Sequence, residues 1–293
     1  MCNRELSSVD MHEVSRRIME ILSSAPDAPD LDVEAAKIIN ASKVDGVFDA
    51  QRALGLAEQR AKGILMPQLL GRTTFMGLEL TFEPGVFAVR EETELLGWTA
   101  VNRLQELESG SGKTPRELRV IDLGTGSGNL TCGISKAVPN ARVWAIDIET
   151  ACITLTKKNV ERHDLSDRVE VLMGDLFAPL AGRGLEGSID AVVCNPPYIA
   201  SVRLEKDRAY LVANEPRAAF DGGPFGISIQ MRLAKEALPF LKPGGWLLFE
   251  FGVGQERQVK QLIERTDGYD SVDFARNQKG EARVSVNRKK RVD

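Results

Sequence analysis

The sequence of 293 residues predicts an α/β fold, in which a doubly wound, Rossmann-like mixed sheet of seven strands follows a small N-terminal helical domain and a β-hairpin linker. From residue 118 onward, β-rich segments alternate with segments of helical period, which is typical of parallel strands with helices on both faces. The last two β-rich segments, YDSVDFA and ARVSVNR, follow each other without a helix and predict an antiparallel hairpin that closes the sheet.

The N-terminal segment has a helical pattern. Between Met11 and about Lys62, apolar residues recur three or four positions apart and predict three short helices. Pro26 and Pro29 interrupt the first of these patterns. Asp30 follows, and we expect it to cap the second helix because its carboxylate can accept hydrogen bonds from free backbone N–H groups.

An extended pattern begins after Gly71. The segments TTFMGLELTF and VFAV flank Glu83-Pro84-Gly85, so we expect a hairpin with its turn at these three residues. The helical domain, the hairpin linker and the α/β domain are accordingly expected to span residues 1–72, 73–90 and 91–293.

The other elements belong to the α/β domain. Its predicted parallel strands have the sequences LRVIDL, ARVWAIDI, RVEVLMGD, IDAVVCN and GWLLFEFG. Its helices are predicted over residues 93–108, 130–138, 151–163, 228–241 and 255–265. The basic residues Arg288 to Arg291 are expected to form a solvated tail.

Composition excludes several classes of protein. Apolar residues make up 43% and charged residues 27% of the chain, which is typical of a globular protein that buries a core without disulfides. Four cysteines without paired spacing indicate a reducing compartment, and with only two histidines no metal site is expected. The charged N-terminus and the lack of a long apolar run predict a cytoplasmic protein with no membrane partner.

The charge distribution bears on nucleic acids. The net charge is −4, and the excess of acidic residues falls in the centre of the chain, where the motifs described next occur. A protein that binds duplex DNA usually has a basic working face. Direct DNA binding is therefore not expected.

A glycine-rich turn runs from Gly124 to Gly128 between a predicted strand and a predicted helix. Its three glycines would let a ligand approach the backbone and the helix N-terminus. Asn129 stands where the dinucleotide fingerprint has Gly or Ala, and the Gly-Lys-Ser/Thr of a phosphate-binding loop is absent. A tight turn without a ligand would also account for this pattern.

Two acidic residues follow the next two strands. Asp147 could bridge the two hydroxyl groups of a ribose. Asp175 could accept a hydrogen bond from an exocyclic amine, and Leu176 adds apolar surface for a purine. Each aspartate could instead cap a helix, but three consecutive strand ends together favour an adenosine site.

The tetrapeptide Asn195-Pro196-Pro197-Tyr198 follows the apolar strand IDAVVC. Its prolines hold the backbone extended and remove N–H donors, so that carbonyl groups face outward. The Asn195 side-chain oxygen and the Pro196 carbonyl could accept from one planar NH₂ group while the Tyr198 ring packs against the substrate. A strand that simply ends at a proline would account for the two prolines, but not for the asparagine before them or the tyrosine after them.

This arrangement suits methylation of an amide. An amide nitrogen is a poor nucleophile because its lone pair is delocalised, and two hydrogen bonds of about 0.5–1.5 kcal/mol each favour a pyramidal nitrogen. Alignment with a sulfonium methyl group about 3–3.5 Å away contributes roughly 7–11 kcal/mol. No strong general base is then required.

The segments DLGTGSGNL, AIDI, GDLF and NPPYI, with EPRAAFDGGPFGI after them, resemble class I S-adenosylmethionine-dependent methyltransferases of the protein-(glutamine-N5) type, which include the release-factor glutamine methyltransferases. The resemblance extends from about Gln59 to Asn287. It implies the class I methyltransferase fold, S-adenosyl-L-methionine as the cofactor, and the glutamine in the GGQ motif of a peptide-chain release factor as the acceptor. It also implies that the N-terminal helical domain contacts the protein substrate.

The resemblance implies roles for the matching residues. The cofactor would be bound by Asp122, Gly124, Thr125, Gly126, Gly128, Asp147, Ile148, Asp175, Leu176 and Asn195. The reacting glutamine would be held by Asn195, Pro196 and Tyr198. The cleft between them would be lined by Arg90, Glu92, Thr93, Glu94, Pro197 and Glu215.

Three positions depart from the family pattern. Val89 and Glu91 stand where proline is usual, and Phe225 stands where aspartate is usual. They motivate a second hypothesis, in which the same chemistry acts on a small-molecule amine or amide. An adenine-N6 nucleic-acid methyltransferase and a non-catalytic module that binds S-adenosylmethionine are further alternatives. Oligomeric state is not predicted.

Overall fold

The computed structural model describes residues 8–25, 30–109, 116–206 and 215–291. The chain divides into two compact units, Met1–Thr73 and Thr74–Asp293. Among the helices in the described ranges, none combines the length and the apolar character that crossing a bilayer requires.

The first unit is helical. It contains α1 (Ser8–Leu22), α2 (Leu31–Ala41), the two-residue strands β1 (Lys43–Val44) and β2 (Val47–Phe48), α3 (Ala50–Ala61) and α4 (Met66–Leu70). The three predicted helices are confirmed, and α4 and the short β pair are additions. Asp30 caps α2 as predicted, because its Oδ1 accepts from the backbone N–H groups of Asp32 and Val33 at 3.0 and 3.1 Å.

Apolar residues three or four positions apart bring α1, α2 and α3 together. The buried core of the unit consists of Ile18, Leu22, Ala35, Ile38, Ala53 and Ala57. A buried ion pair also links two of its helices, since Arg60 Nε donates to Glu34 Oε2 at 3.0 Å and Arg60 Nη2 donates to Glu34 Oε1 at 3.1 Å.

The hairpin lies earlier in the chain than predicted. It consists of β3 (Arg72–Phe75), where the boundary between the units falls, and β4 (Leu78–Thr81). Its turn residues, Met76 and Gly77, have positive φ values of 48° and 78°, which suit a two-residue hairpin turn. The Glu94 side chain supports this turn by accepting the Met76 N–H at 2.6 Å.

The prediction of a hairpin turn at Glu83-Pro84-Gly85 is wrong, because residues 82–90 contain no strand. In this segment a backbone N–H group forms its hydrogen bond with a side chain and not with a neighbouring strand. The Ala88 N–H donates to Glu215 Oε1 at 2.7 Å, which removes it from any strand pairing.

The second unit is built on a seven-stranded sheet. Its strands are β5 (Leu118–Leu123), β6 (Ala141–Asp147), β7 (Val169–Met173), β8 (Ile189–Cys194), β9 (Leu241–Glu250), β10 (Tyr269–Arg276) and β11 (Ala282–Lys289). The order in the sheet is β10-β11-β9-β8-β5-β6-β7. Strands β5 to β9 are parallel, whereas β11 is antiparallel to both β9 and β10. The predicted doubly wound mixed sheet is confirmed.

The helices of this unit cover the sheet on both faces. Within the described ranges they are α5 (Glu94–Ser109), α6 (Asn129–Ala137), α7 (Thr150–Arg162), α8 (Ser201–Lys206), α9 (Ser228–Glu236) and α10 (Glu256–Arg265). Neighbouring strand residues alternate between two buried clusters. On β8, Val193 belongs to one cluster and Val192 to the other, as do Leu248 and Leu247 on β9. This burial on both faces explains the nearly continuous apolar runs of these strands.

Helix α9 ends at Glu236, five residues earlier than predicted. Pro239 has no N–H to continue the helix and restricts the residue before it. Lys289 completes this end, because its Nζ donates to the carbonyls of Leu238 and Leu241, each at 2.7 Å. Arg288 and Lys289 are the last two residues of β11. The prediction of a solvated tail is therefore wrong at these residues.

Candidate active site

The glycine turn and the Asn-Pro-Pro-Tyr corner leave the sheet side by side. Leu123, the last residue of β5, pairs with Cys194, the last residue of β8, and with Ile146 on β6. Adjacent strands in a sheet are about 4.8 Å apart. Strand order reverses at β5, and ligands of open α/β sheets bind at the carboxyl ends of the strands at such a point.

The glycine turn requires its glycines. Gly124, Gly126 and Gly128 have φ values of 64°, 59° and 79°, a region that glycine occupies at little cost. A Cβ atom on Gly128 would lie 3.0 Å from Thr156 Cγ2, whereas no atom of the described residues lies within 4 Å of one on Gly124. The turn is therefore closed against α7 at Gly128 and open at Gly124.

Asp147 holds this turn against the end of β6. Its Oδ2 accepts the Gly126 N–H at 2.8 Å, and its Oδ1 accepts the Glu149 N–H at 3.0 Å. Each carboxylate oxygen has a second lone pair, so Asp147 can still accept from a ligand.

Asp122 has an unpaired buried oxygen beside the turn. Its Oδ2 accepts from the hydroxyl groups of Thr125 and Thr131 at 2.9 and 2.6 Å, while its Oδ1 is buried and has no hydrogen-bond partner among the described residues. Burial raises the pKa of Asp122 to about 6, and the nearby Asp147 charge adds to the shift. An unsatisfied buried carboxylate oxygen is costly, so this site suits a cationic donor.

The predicted adenine site lies beyond Asp147. Ile148 and Met173 are 60% and 62% exposed, and the strand register pairs Met173 with Asp147. Leu176 packs against the second core cluster, and the Asp175 carboxylate is ion-paired with Arg232 at 3.0 Å. Arg232 lies on α9, 57 positions from Asp175, and was not among the predicted site residues.

The Asn195 side chain is oriented by Thr93. Its Nδ2 donates to Thr93 Oγ1 at 3.0 Å, and the Thr93 hydroxyl group donates to Glu250 Oε2 at 2.8 Å. Among the described residues, no hydrogen bond to Asn195 Oδ1 is found. Thr93 and Glu250 are buried, whereas Asn195 is partly exposed.

Tyr198 belongs to the same network. Its hydroxyl group donates to Glu250 Oε1 at 3.2 Å and accepts from Arg283 Nη2 at 3.2 Å. Arg283 Nη2 also donates to Glu250 Oε1 at 3.0 Å, and the guanidinium carbon lies 5.6 Å from the centre of the Tyr198 ring. Burial raises the pKa of Tyr198 to about 12, so its hydroxyl group remains protonated.

The segment DGGPFG packs against the diproline corner. A Cβ on Gly222 would lie 2.8 Å from the Pro197 carbonyl oxygen, and one on Gly226 would overlap the Tyr198 carbonyl oxygen. Gln255 Nε2 joins the two segments by donating to the carbonyls of Tyr198 and Gly226 at 3.1 and 3.2 Å. The Phe225 side chain is 75% exposed.

The other predicted cleft residues have different surroundings. Arg90 is ion-paired with the buried carboxylate of Glu215 and lies 4.6 Å from the centre of the Phe87 ring. Glu94 is bound to the hairpin turn described above, and Glu92 is exposed. Of the sequence RxETE, Thr93 is the residue in contact with Asn195.

Three residues of the corner and its network were missed by sequence reasoning: Glu250, Gln255 and Arg283. Glu250 and Arg283 lie on β9 and β11, far along the chain from Asn195. Their signal in the sequence is a charged residue at the end of or within an apolar strand. Glutamate in LLFEFG and arginine in ARVSV are such residues.

Comparisons with known proteins identify the family. A family model described as the methyltransferase small domain matches residues 79–238. The release factor glutamine methyltransferase of Moorella thermoacetica is 37% identical over 212 residues, covering 72% of this chain and 70% of the relative. That of Geobacter sulfurreducens is 34% identical over 212 residues, covering 72% and 69%.

A solved structure agrees with the fold. The human methyltransferase 10 domain containing protein superposes with a TM-score of 0.54 at 17% identity, covering 91% of this chain and 100% of the other. The sequence comparisons confirm the resemblance found from the motifs: this chain belongs to the methyltransferase small domain family and, through its relatives, to the release factor glutamine methyltransferases.

Proposed function

We propose that this protein transfers a methyl group from S-adenosylmethionine to the side-chain amide nitrogen of the glutamine in the GGQ motif of a peptide-chain release factor. The observation that carries the proposal is the Leu123–Cys194 register, by which the glycine turn and the Asn-Pro-Pro-Tyr corner follow the paired ends of adjacent strands. Asn195 Oδ1, at this corner, has no hydrogen-bond partner in the part of the chain that the structure describes. The relatives' names support the acceptor. Release factors act in translation, so the proposal implies a cytoplasmic enzyme.

The residues at the glycine turn fit the cofactor. The unpaired Asp122 Oδ1 suits the ammonium group of its methionine part, and the lone pairs left on Asp147 suit its ribose hydroxyl groups. The exposed apolar side chains of Ile148 and Met173, with Asp175 and Leu176, suit the adenine. When bound, the cofactor supplies an electrophilic methyl group on a sulfonium.

The corner would bind and orient the amide. Asn195 Oδ1 and the Pro196 carbonyl accept its two N–H bonds, and the Tyr198 ring packs against its apolar part. Two accepted hydrogen bonds favour the pyramidal nitrogen, and orientation contributes roughly 7–11 kcal/mol. Tyr198 does not act as a base, because its proton is donated to Glu250 and its pKa is raised.

Mass spectrometry of a purified release factor tests the acceptor. Incubation with enzyme and S-adenosylmethionine is expected to add one methyl group, mapped to the GGQ glutamine. Asn195→Ala should abolish turnover while cofactor affinity is kept, and Asn102→Ala, at an exposed position of α5, is the matched control. An unmodified glutamine after incubation with the wild-type protein would contradict the proposal.

A small-molecule amine or amide is the second candidate acceptor, favoured by the exposed Phe225 in place of the usual aspartate. Methylation of a metabolite extract without turnover on release factors would support it. Label transferred to DNA would instead support an adenine methyltransferase, and cofactor binding without any transfer would support a binding module.

We assign substrate recognition to the helical unit, with residues 1–72 as the recognition domain, 73–90 as the linker and 91–293 as the methyltransferase domain. Val44 and Val47, exposed on β1 and β2, offer apolar contact to a protein. Replacing both with serine is expected to raise the KM for the release factor and to leave cofactor affinity unchanged. An unchanged KM would contradict a contribution of these two residues.

A further inference from the structure

The direction of the hydrogen bonds around Asn195 follows from Glu250. This buried carboxylate accepts from the hydroxyl groups of Thr93 and Tyr198 and from the guanidinium group of Arg283, at 2.8, 3.2 and 3.0 Å. An ionised carboxylate has no proton to donate. Glu250 is therefore the acceptor in all three of these hydrogen bonds.

The hydrogen bond from Thr93 to Glu250 determines which role Thr93 can take toward Asn195. Its hydroxyl group has a single proton, and that proton is donated to Glu250. Toward Asn195 the Thr93 oxygen can only accept, so the Nδ2 group of Asn195 must face it, as it does at 3.0 Å. The Oδ1 atom is thereby turned to the other side of the amide.

We propose that Thr93, Glu250 and Arg283 are positioning residues that set the orientation of the Asn195 amide and thereby make the acceptor site selective for an NH₂ group over a carboxylate. The inference rests on the proposed function. In this orientation Asn195 Oδ1 and the carbonyl group of the next residue, Pro196, would offer two acceptors to the substrate. A glutamine amide can donate to both, whereas an ionised glutamate has no proton to donate and is repelled.

Arg283 is needed for this arrangement. Burial raises the pKa of Glu250, and the guanidinium group of Arg283, 3.0 Å from Glu250 Oε1, opposes this shift and so favours the ionised carboxylate. A protonated Glu250 could donate to Thr93, and Thr93 could then donate to Asn195 instead of accepting from it. The amide of Asn195 would be free to reverse, which would place its NH₂ group against the NH₂ group of the substrate.

The decisive comparison is between Thr93→Val, which removes the hydroxyl group at nearly constant shape, and Thr93→Ser, which retains it. Thr93→Val is expected to lower kcat by about 10²-fold, the effect of a misplaced reacting group, without changing the dissociation constant of S-adenosylmethionine. Thr93→Ser should retain most of the wild-type kcat. Thr99→Val is the matched control, because the Thr99 hydroxyl group on α5 donates only to the Leu95 carbonyl.

A second measurement reports on selectivity. A release factor with glutamate in place of the acceptor glutamine is expected to inhibit the wild-type enzyme weakly. It should inhibit Thr93→Val more strongly, because the Asn195 amide can then turn its NH₂ group toward a carboxylate. A loss of stability alone would not change this ratio. Thr93→Ala is measured in parallel, so that a folding defect in one variant does not leave the proposal without a test.

The outcomes separate the two proposals. An inactive wild-type protein contradicts the proposed function. An active wild-type protein together with an equally active Thr93→Val or Thr93→Ala overturns only the inference, as does an equal loss of cofactor affinity and kcat with unchanged selectivity. A loss of kcat with intact cofactor affinity and reduced discrimination against glutamate supports it.

Discussion

The Asp147 carboxylate at the end of β6 accepts a hydrogen bond of 2.8 Å from the backbone N–H of Gly126 in the neighbouring glycine turn. One side chain thus fixes the shape of the turn and presents free lone pairs at the proposed ribose site. Replacement of Asp147 should weaken cofactor binding in two ways, by loosening the glycine turn and by removing the proposed contact with the ribose.

Asp147→Ala is expected to weaken S-adenosylmethionine binding by about 10²-fold or more, since a hydrogen bond to a charged group contributes about 1.5–3 kcal/mol. Isothermal titration calorimetry measures the change. Glu149→Ala removes an exposed carboxylate two positions away and is the control. An unchanged dissociation constant in Asp147→Ala would exclude this residue from the cofactor site.

Asp122 predicts a pH dependence of cofactor binding. Burial raises its pKa to about 6 in the free protein, and an ammonium group would bind the ionised form. Below about pH 6 the carboxyl group must first lose its proton, so the dissociation constant should rise about tenfold for each unit by which the pH is lowered. Above this range it should be constant until the cofactor amine itself titrates.

Titration calorimetry between about pH 5 and 7, on either side of that pKa, measures this dependence. Asp122→Asn should bind weakly at every pH and lose the slope. A wild-type protein whose affinity is the same across this range would show that Asp122 does not pair with the ammonium group.

Substitution of Gly226 by alanine is expected to disturb the diproline corner. Alanine there would have a strained backbone at φ 70° and would place its Cβ against the Tyr198 carbonyl oxygen. Alanine at Gly254, with φ 87° and nothing within 4 Å of the Cβ, would have the strain alone. Gly254→Ala should lower the free energy of unfolding by about 1–2 kcal/mol. Gly226→Ala should lower it further because of the clash, and only Gly226→Ala should also lower kcat. Urea denaturation and steady-state kinetics would detect both effects, and equal kcat values would contradict the role of this packing.

The buried pair of Glu34 and Arg60 predicts a stability effect in the helical unit. Glu34→Ala leaves the Arg60 guanidinium group buried without its partner and should cost about 3–5 kcal/mol. Replacing both residues with apolar ones, as Glu34→Leu with Arg60→Met, should restore most of the lost stability. Urea denaturation followed by circular dichroism distinguishes the two variants, and an equal loss in both would show that desolvation of Arg60 is not the cause.

Most of the fold could be predicted because its signals are local. The alternation of strands and helices and the apolar runs of β8 and β9 depend on neighbours along the chain, and the sequence predicted all seven strand segments of the large sheet. The errors came from competition between local signals and distant groups. Glu83-Pro84-Gly85 is a good turn sequence, but the N–H of Ala88 is bound by Glu215, 127 positions away.

The candidate site shows the same limit. The glycine turn, Asp147 and Asn195 could be placed by their positions at strand ends, because parallel strands bring such ends to one edge of a sheet. Arg283 and Glu250 could not be assigned from the sequence. Their contact depends on β11 entering the sheet beside β9, after a long connection and in an antiparallel sense.

The sequence by itself determined the class of the fold, the strand ends that carry the chemistry and the family, since each of these follows from residue spacing and motifs. Only the tertiary structure decided which way the Asn195 amide faces. Its two ends have nearly the same size, and the choice between them depends on the single proton of Thr93 and on the buried charges of Glu250 and Arg283, which the fold brings together from four separate parts of the chain.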